Sequence, residues 1–190
     1  MDFIVDQDFK DEDYTESKMQ RVEYEDCSFT NCDFSAANLS HLRFVDCEII
    51  NSNLSSVMLS DTSFQNVSFI DCKILGVDFS VCSDFAFSVR FENCQLNHSS
   101  FEKQDLSKTL FKNSKLLDVG FFECNLSAAV FENSDLMNAR FNKNNLNKTD
   151  FRTAINFVID PEDNQMKAAK FSKHTLQGLL EKYQLKIENI

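Results

Sequence analysis

An apolar residue recurs at every fifth position through most of this chain, a period that neither an α-helix nor a hairpin strand possesses. One register runs through Tyr14, Met19, Tyr24, Phe29, Phe34, Leu39, Phe44, Ile49, Leu54, Leu59, Phe64, Phe69, Ile74 and Phe79 without a break. A second runs from Phe91 through Leu96, Phe101 and so on to Phe151, strictly alternating Phe and Leu. The step from Phe79 to Phe91 is two residues longer than two pentads, so "SVCSDFAFSVRF" must absorb an insertion. Two residues before most centres the side chain is small, as at Ala37, Val57, Ser99 and Ala129, and six of the seven cysteines fall there. A small residue followed two later by a large one gives two inward positions per pentad on an extended chain, and the other three positions face water. With 3 Gly and 1 Pro, the chain cannot make so many corners from ordinary turn residues.

At 190 residues and 43% hydrophobic content the chain suits a single domain with a sizeable core. No run of 18 apolar residues occurs, and "MDFIVDQDFKDED" lacks the basic and apolar regions of a signal peptide, so a cytoplasmic protein is expected. The net charge of −11 is unevenly placed: residues 1–80 hold 16 acids against 5 bases, and residues 81–190 hold 14 against 14.

Pentads such as "ANLSH", "VDFSV", "SDLMN" and "CDFSA" resemble the pentapeptide-repeat family, whose unit is a small residue, Asp or Asn, Leu or Phe, and two polar residues. The likeness spans roughly residues 12–155. It implies an all-β fold, a right-handed quadrilateral β-helix of about seven coils with four pentads per turn and a short C-terminal helical cap. Residues twenty apart then stack in columns, or twenty-two apart across the insertion, and the rod is about 33 Å long at about 4.8 Å per strand. The expected division is a β-helix over 1–158, with an N-terminal cap at 1–11 and a bulge at 81–89, and a helical cap and dimerisation tail over 159–190.

On that geometry Cys27 stacks with Cys47 and Cys72 with Cys94, close enough for disulfides. Stacked side chains point in parallel and a buried Cys behaves as a small hydrophobe, so reduced core thiols are expected. Cys27 and Cys32 fall on adjacent faces and do not make a zinc pair. Cys82 lies in the insertion, as an exposed thiol or a partly buried spacer. His41, His98 and His174 are far apart in sequence and read as solvated side chains. No phosphate-cradling glycine loop or nucleophile elbow is present. Neither catalysis nor a metal or other cofactor is expected from a rod filled by its own side chains.

After Phe151 the period dissolves. Asp160-Pro161-Glu162-Asp163 has the order of a helix start, with an N-cap, Pro at the first position and acids in the first turn. Ser172 is positioned to cap a second helix in which Leu176, Leu179, Leu180 and Tyr183 recur at i, i+3, i+4 and i+7, and "LKI" reads as a final extended segment. That apolar stripe is either a lid on the last coil or a homodimer contact, the latter being how related antibiotic-resistance proteins pair.

In size and uninterrupted coils the chain resembles the quinolone-resistance and gyrase-binding branch of the family, and the microcin and albicidin immunity proteins. What that implies is a mimic of double-stranded DNA that binds a type II topoisomerase, DNA gyrase or topoisomerase IV, and modulates or protects it against inhibitors. Neither direct nucleic-acid binding nor membrane binding is implied. Outward acids available to stand in for phosphates are Glu25, Asp26, Asp33, Asp46, Glu48, Asp61, Asp71 and Asp78, each of which also serves to keep a Phe-filled rod soluble. Duplex DNA of about 33 Å carries about 20 charges, more than this whole chain, so the mimicry is partial. The alternative is a generic interaction scaffold with an unrelated partner.

Overall fold

The computed structural model describes residues 2–186. Each pentad is a short extended stretch followed by a corner, and four pentads close one coil of twenty residues. Strands β1 (Phe3–Val5), β3 (Glu23–Glu25), β5 (Arg43–Val45) and β7 (Ser63–Gln65) stack in parallel on the first face. The second face carries the longest ladder: β2 (Asp8–Lys10), β4 (Ser28–Thr30), β6 (Glu48–Ile50), β8 (Val67–Ile70), β9 (Val89–Glu92), β11 (Leu110–Lys112) and β13 (Val130–Glu132). Isolated bridges from Asp13 through Asp33, Asn53, Lys73 and Gln95 to Ile155 join the third face. The fourth carries β10 (Ser100–Glu102), β12 (Gly120–Phe122) and β14 (Arg140–Asn142). The fold is therefore a parallel β-solenoid whose pitch is the twenty-residue repeat of the sequence.

The corners explain how so few glycines suffice. The residue two after most centres sits in the left-handed region, with φ between 47° and 64°, from Asp6 at one end to Ala168 at the other. Fifteen of the 28 non-glycine residues with positive φ are Asn or Asp, the side chains that tolerate this region best, and Gly76 is the one glycine that shares it.

Rung spacing fixes the core. Side chains in one column lie one strand spacing apart, so Phe rings stack nearly parallel: Phe111 over Phe131 at 4.8 Å and 2°, Phe101 over Phe121 at 5.4 Å and 7°. The Phe–Leu alternation places Phe on the opposed second and fourth faces. Across the interior these columns meet edge to face, as in Phe101 with Phe111 at 6.3 Å and 83°, and such aromatic contacts add about 0.5–1.5 kcal/mol each beyond area burial. The Leu columns at Leu106, Leu126 and Leu146 and at Leu96, Leu116 and Leu136 fill the flanks, all buried.

The insertion is confined to the first face. Pairing across it shifts from twenty to twenty-two residues, with Phe69 opposite Phe91 and Lys73 opposite Gln95. Phe87 turns inward against Phe64 while Phe85 stands 72% exposed. Cys82 is buried here, not exposed, and burial pushes its thiol up. Gln104, one rung on, ties the bulge down by donating to the carbonyls of Phe79 and Cys82.

The C-terminal region departs from expectation in two ways. No helix starts at Asp160: the carboxylate of Asp160 accepts the Glu162 N–H in a single turn, and the chain then rejoins the coil. The buried Asn164 side chain bonds the Asn144 N–H and the Phe141 carbonyl, Gln165 bridges to Asn145, and Lys170 bridges to Asp150. Ladder bonds along a ready-made edge outweigh one turn of helix, whose nucleation is unfavourable. Met166 and Phe171, twenty residues after Leu146 and Phe151, carried this signal in the sequence. Nor does Ser172 cap an α-helix; the tail beyond it makes two 3-10 turns, Leu176–Leu179 and Glu181–Tyr183, with no side-chain cap. At the other end, residues 3–10 pair as β1 and β2 with the next coil. Part of the expected extended segment at 185–187 lies outside the described residues. Among the described residues no helix is long and apolar enough to cross a membrane.

Candidate protein-interaction surface

The interior is filled, so whatever this protein engages must meet its faces and corners. The corner between the first and second faces holds one left-handed residue per rung. Asp6, Asp26 and Asp46 occupy successive rungs there, followed by Asn66, whose amide donates to Asp46 at 2.6 Å. Beyond the insertion the same corner carries Lys108, Ala128, Lys148 and Ala168. Its charge therefore reverses at the bulge.

The eight acids singled out in the sequence do not form one stripe. Glu25, Asp26, Asp46 and Glu48 cluster about this corner. Asp33 and Asp78 lie on the third and fourth faces, Asp71 on the corner between the second and third, and Asp61 on the corner between the fourth and first. Hydrogen bonding separates them further. Asp33 accepts the Ser35 N–H at 2.8 Å and the Asn53 amide at 3.3 Å. Asp71 accepts the Asn93 amide at 2.9 Å, and Asp61 lies 3.3 Å from His41. Partial burial pulls the Asp78 carboxyl upward, but hydrogen bonds from Ser80 and Ser100 outweigh it and hold the group below the usual carboxylate range. Among the described residues, Glu25, Asp26 and Glu48 have no side-chain hydrogen-bond or ion-pair partner, which leaves them accessible to an incoming one. Asp6, which the same twenty-residue column exposes, belongs with them and was not singled out from the sequence.

In the second half, six acids, Glu92, Glu102, Glu123, Asp150, Asp160 and Glu162, pair with a Lys or Arg. Glu92 lies between Lys112 at 2.7 Å and Arg90 at 3.2 Å, and Asp150 between Arg152 at 2.7 Å and Lys170 at 3.9 Å. Lys182 bridges Asp160 and Glu162 at 2.6 and 2.8 Å. The corner between the second and third faces is a ladder of amides that ends on two carboxylates, Asn51 to Asn31 to Asp11 and Asn133 to Asn113 to Asn93 to Asp71.

All seven cysteines are free and buried, and burial pushes the Cys47 thiol to about 12 and that of Cys124 to about 11. His41 and His98 sit on different corners, each beside an Asp on the next rung. Among the described residues no three His, Cys, Asp or Glu side chains could hold a metal ion. At the C-terminal end Leu179 packs on the core, whereas Leu176, Leu180 and Tyr183 are exposed, as are Ile155, Val158 and Met137. Tyr183 donates to Glu162 at 2.9 Å, which anchors the tail to the last coil.

Coils of small and large inward residues stacked in parallel define a pentapeptide solenoid with a charged exterior. The family models agree: a pentapeptide repeat region matches residues 17–83 and 49–121, and pentapeptide repeats (8 copies) match 121–155. The chain belongs to the pentapeptide-repeat family. Among solved structures, a trypsin-treated form of QnrB1, a plasmid-mediated fluoroquinolone resistance protein, aligns over 98% of this chain and 100% of its own at 18% identity and a TM-score of 0.49. HetL, a pentapeptide-repeat protein involved in heterocyst differentiation regulation from the cyanobacterium Nostoc sp. strain PCC 7120, aligns over 90% and 84% at 12% identity and a TM-score of 0.44. Rfr23 from the cyanobacterium Cyanothece 51142 aligns over 57% and 89% at 17% identity and a TM-score of 0.23. No curated protein sequence matches the chain.

Proposed function

We propose that this protein is a non-enzymatic binding rod whose N-terminal half occupies the DNA-binding surface of a type II topoisomerase, DNA gyrase or topoisomerase IV, and modulates the enzyme or protects it from inhibitors. The observation that carries this is linear charge density. Residues 1–80 hold 16 acids and 5 bases. Folded into four coils at about 4.8 Å each, they place that excess along about 19 Å, or about one net charge per 1.7 Å, which is the density of duplex DNA. A basic surface built to neutralise phosphates meets a comparable field along this half of the rod. Glu25, Asp26 and Glu48 are the principal contacts in this reading, Asp46 lies among them with one oxygen taken by Asn66, and Asp33, Asp61, Asp71 and Asp78 contribute field more than direct bonds. The exposed Leu176, Leu180 and Tyr183, flanked by Leu179, form a homodimer contact that leaves the acidic halves at the outer tips.

The test is gyrase supercoiling with and without the protein, in the presence and absence of a quinolone. Micromolar protein at low salt changes supercoiling or drug poisoning, and the variant Glu25→Gln, Asp26→Asn, Asp46→Asn, Glu48→Gln loses the effect. If the wild-type chain changes neither, the topoisomerase reading fails. A monomer mass by light scattering at tens of micromolar removes the dimer contact. A second reading, a scaffold for an unrelated partner, is favoured by the reversal of sign at Lys108 and Lys148, which a duplex does not have.

A further inference from the structure

The two ends of the coil are finished differently. At the C-terminal end the tail folds back over the last rung: Phe171 stacks on Phe151 at 5.2 Å, and the Ile159 N–H donates to the Gly178 carbonyl. At the N-terminal end β1 and β2 stand last in their sheets, and no described strand lies beyond them. The inner side of this edge is fully used. Asp2 and Gln7 accept from Glu23 and Ser28, and the N–H groups of Asp6 and Asp11 donate to the carbonyls of Glu25 and Thr30. By the alternation of a parallel ladder, Phe3, Val5, Asp8 and Lys10 then direct their backbone N–H and C=O groups outward, away from the coil. Beneath the edge, Ile4, Phe9 and Tyr14 are only partly buried, and Phe3 is 67% exposed.

Such an edge accepts any strand that charge allows to approach. Residues 2–16 carry seven acids and one base. A second copy brings the same charge and is repelled, whereas a segment bearing Lys or Arg finds main-chain partners, an apolar floor and opposite charge together. We propose that the edge of β1 and β2 is a docking site for a basic, extended segment of a partner protein, which adds to the solenoid as a further rung. The inference stands on the edge geometry and holds whether or not the partner is a topoisomerase.

The probe is a nine-residue peptide alternating Lys and Val, titrated into the full chain while amide hydrogen exchange is followed by NMR. At saturation, exchange at Phe3, Val5, Asp8 and Lys10 slows at least tenfold, and a Glu–Val peptide leaves it unchanged. Val5→Pro, which removes one outward N–H and spares the inner ladder, weakens binding severalfold. The double variant Asp8→Lys, Asp11→Lys, whose backbone edge is intact, does the same, and added salt weakens binding to the wild-type chain. The proposal is overturned if saturating Lys–Val peptide leaves those four amides exchanging at their free rate. It is equally overturned if they slow with rising protein concentration alone, since a second copy then covers the edge.

Discussion

Replacing alanine by glycine normally destabilises a folded protein, yet at corner alanines of this chain the opposite is expected. Ala36, Ala128 and Ala168 hold φ of 54°, 58° and 60° at corners of the coil. An L-residue in the left-handed region costs roughly 1–2 kcal/mol relative to its preferred conformations. Glycine escapes that cost but loses more chain entropy on folding, about 0.5–1 kcal/mol. The net gain is about 0.5–1 kcal/mol per site. Ala36 and Ala168 are exposed and Ala128 half-buried, so little packing is lost with the methyl groups. The sites lie on well-separated rungs, so their effects add, giving about 2 kcal/mol for the triple variant. In urea unfolding followed by circular dichroism, with a slope of about 1–3 kcal/mol/M, the midpoint rises by roughly 1 M. Ala129 is the internal control: it neighbours Ala128 but is fully buried and has an ordinary backbone, so Ala129→Gly lowers stability by about 1–2 kcal/mol. If Ala128→Gly destabilises as much as Ala129→Gly, the corners are not strained and the chain turns without glycine by some other means.

Three further outcomes rest on particular contacts. A Cβ at Gly178 collides with the backbone carbonyl of Phe157, so Gly178→Ala lifts the tail from the last coil; limited proteolysis then cleaves within 172–184 at least tenfold faster while the coil persists. The Arg152 guanidinium holds the Asp150 carboxyl below its ordinary range. Because its folded value is depressed, its stabilising contribution is present at neutral pH and is lost as pH falls through that value; Asp150→Asn is accordingly less stable at pH 7, and the difference closes as pH falls below the ordinary carboxylate range. The seven buried thiols, with those of Cys47, Cys82 and Cys124 pushed up by burial, react with a soluble disulfide reagent only on unfolding; one thiol labelled within seconds in native buffer contradicts that burial.

The departures from expectation share a cause. Asp160-Pro161-Glu162-Asp163 satisfies the local requirements of a helix start and of a simple turn equally well. Asn144 and the carbonyl of Phe141, one rung below, decide between them by capturing Asn164 and drawing the chain back into the ladder. The acids present the same problem. Asp26 and Asp78 both read as outward acids in the sequence, but Asp78 is engaged by Ser80 and by Ser100 on the next rung, while Asp26 has no side-chain partner among the described residues. Cys82 falls outside the repeat and is compatible with either environment in the sequence; the path of the bulge buries it.

The sequence by itself determined which residues turn inward, six of the seven cysteines among them, because a strict five-residue period on an extended chain leaves two positions per pentad for the interior; the twenty-residue pitch and its columns were what the resemblance to pentapeptide repeats implied. It also set the acidic bias of the first half. The tertiary structure decided how the chain after Asp160 rejoins the coil and which carboxylates lack a side-chain partner among the described residues. Those outcomes depend on neighbours one rung away, twenty or twenty-two residues along the chain, and a local pattern of five does not contain them.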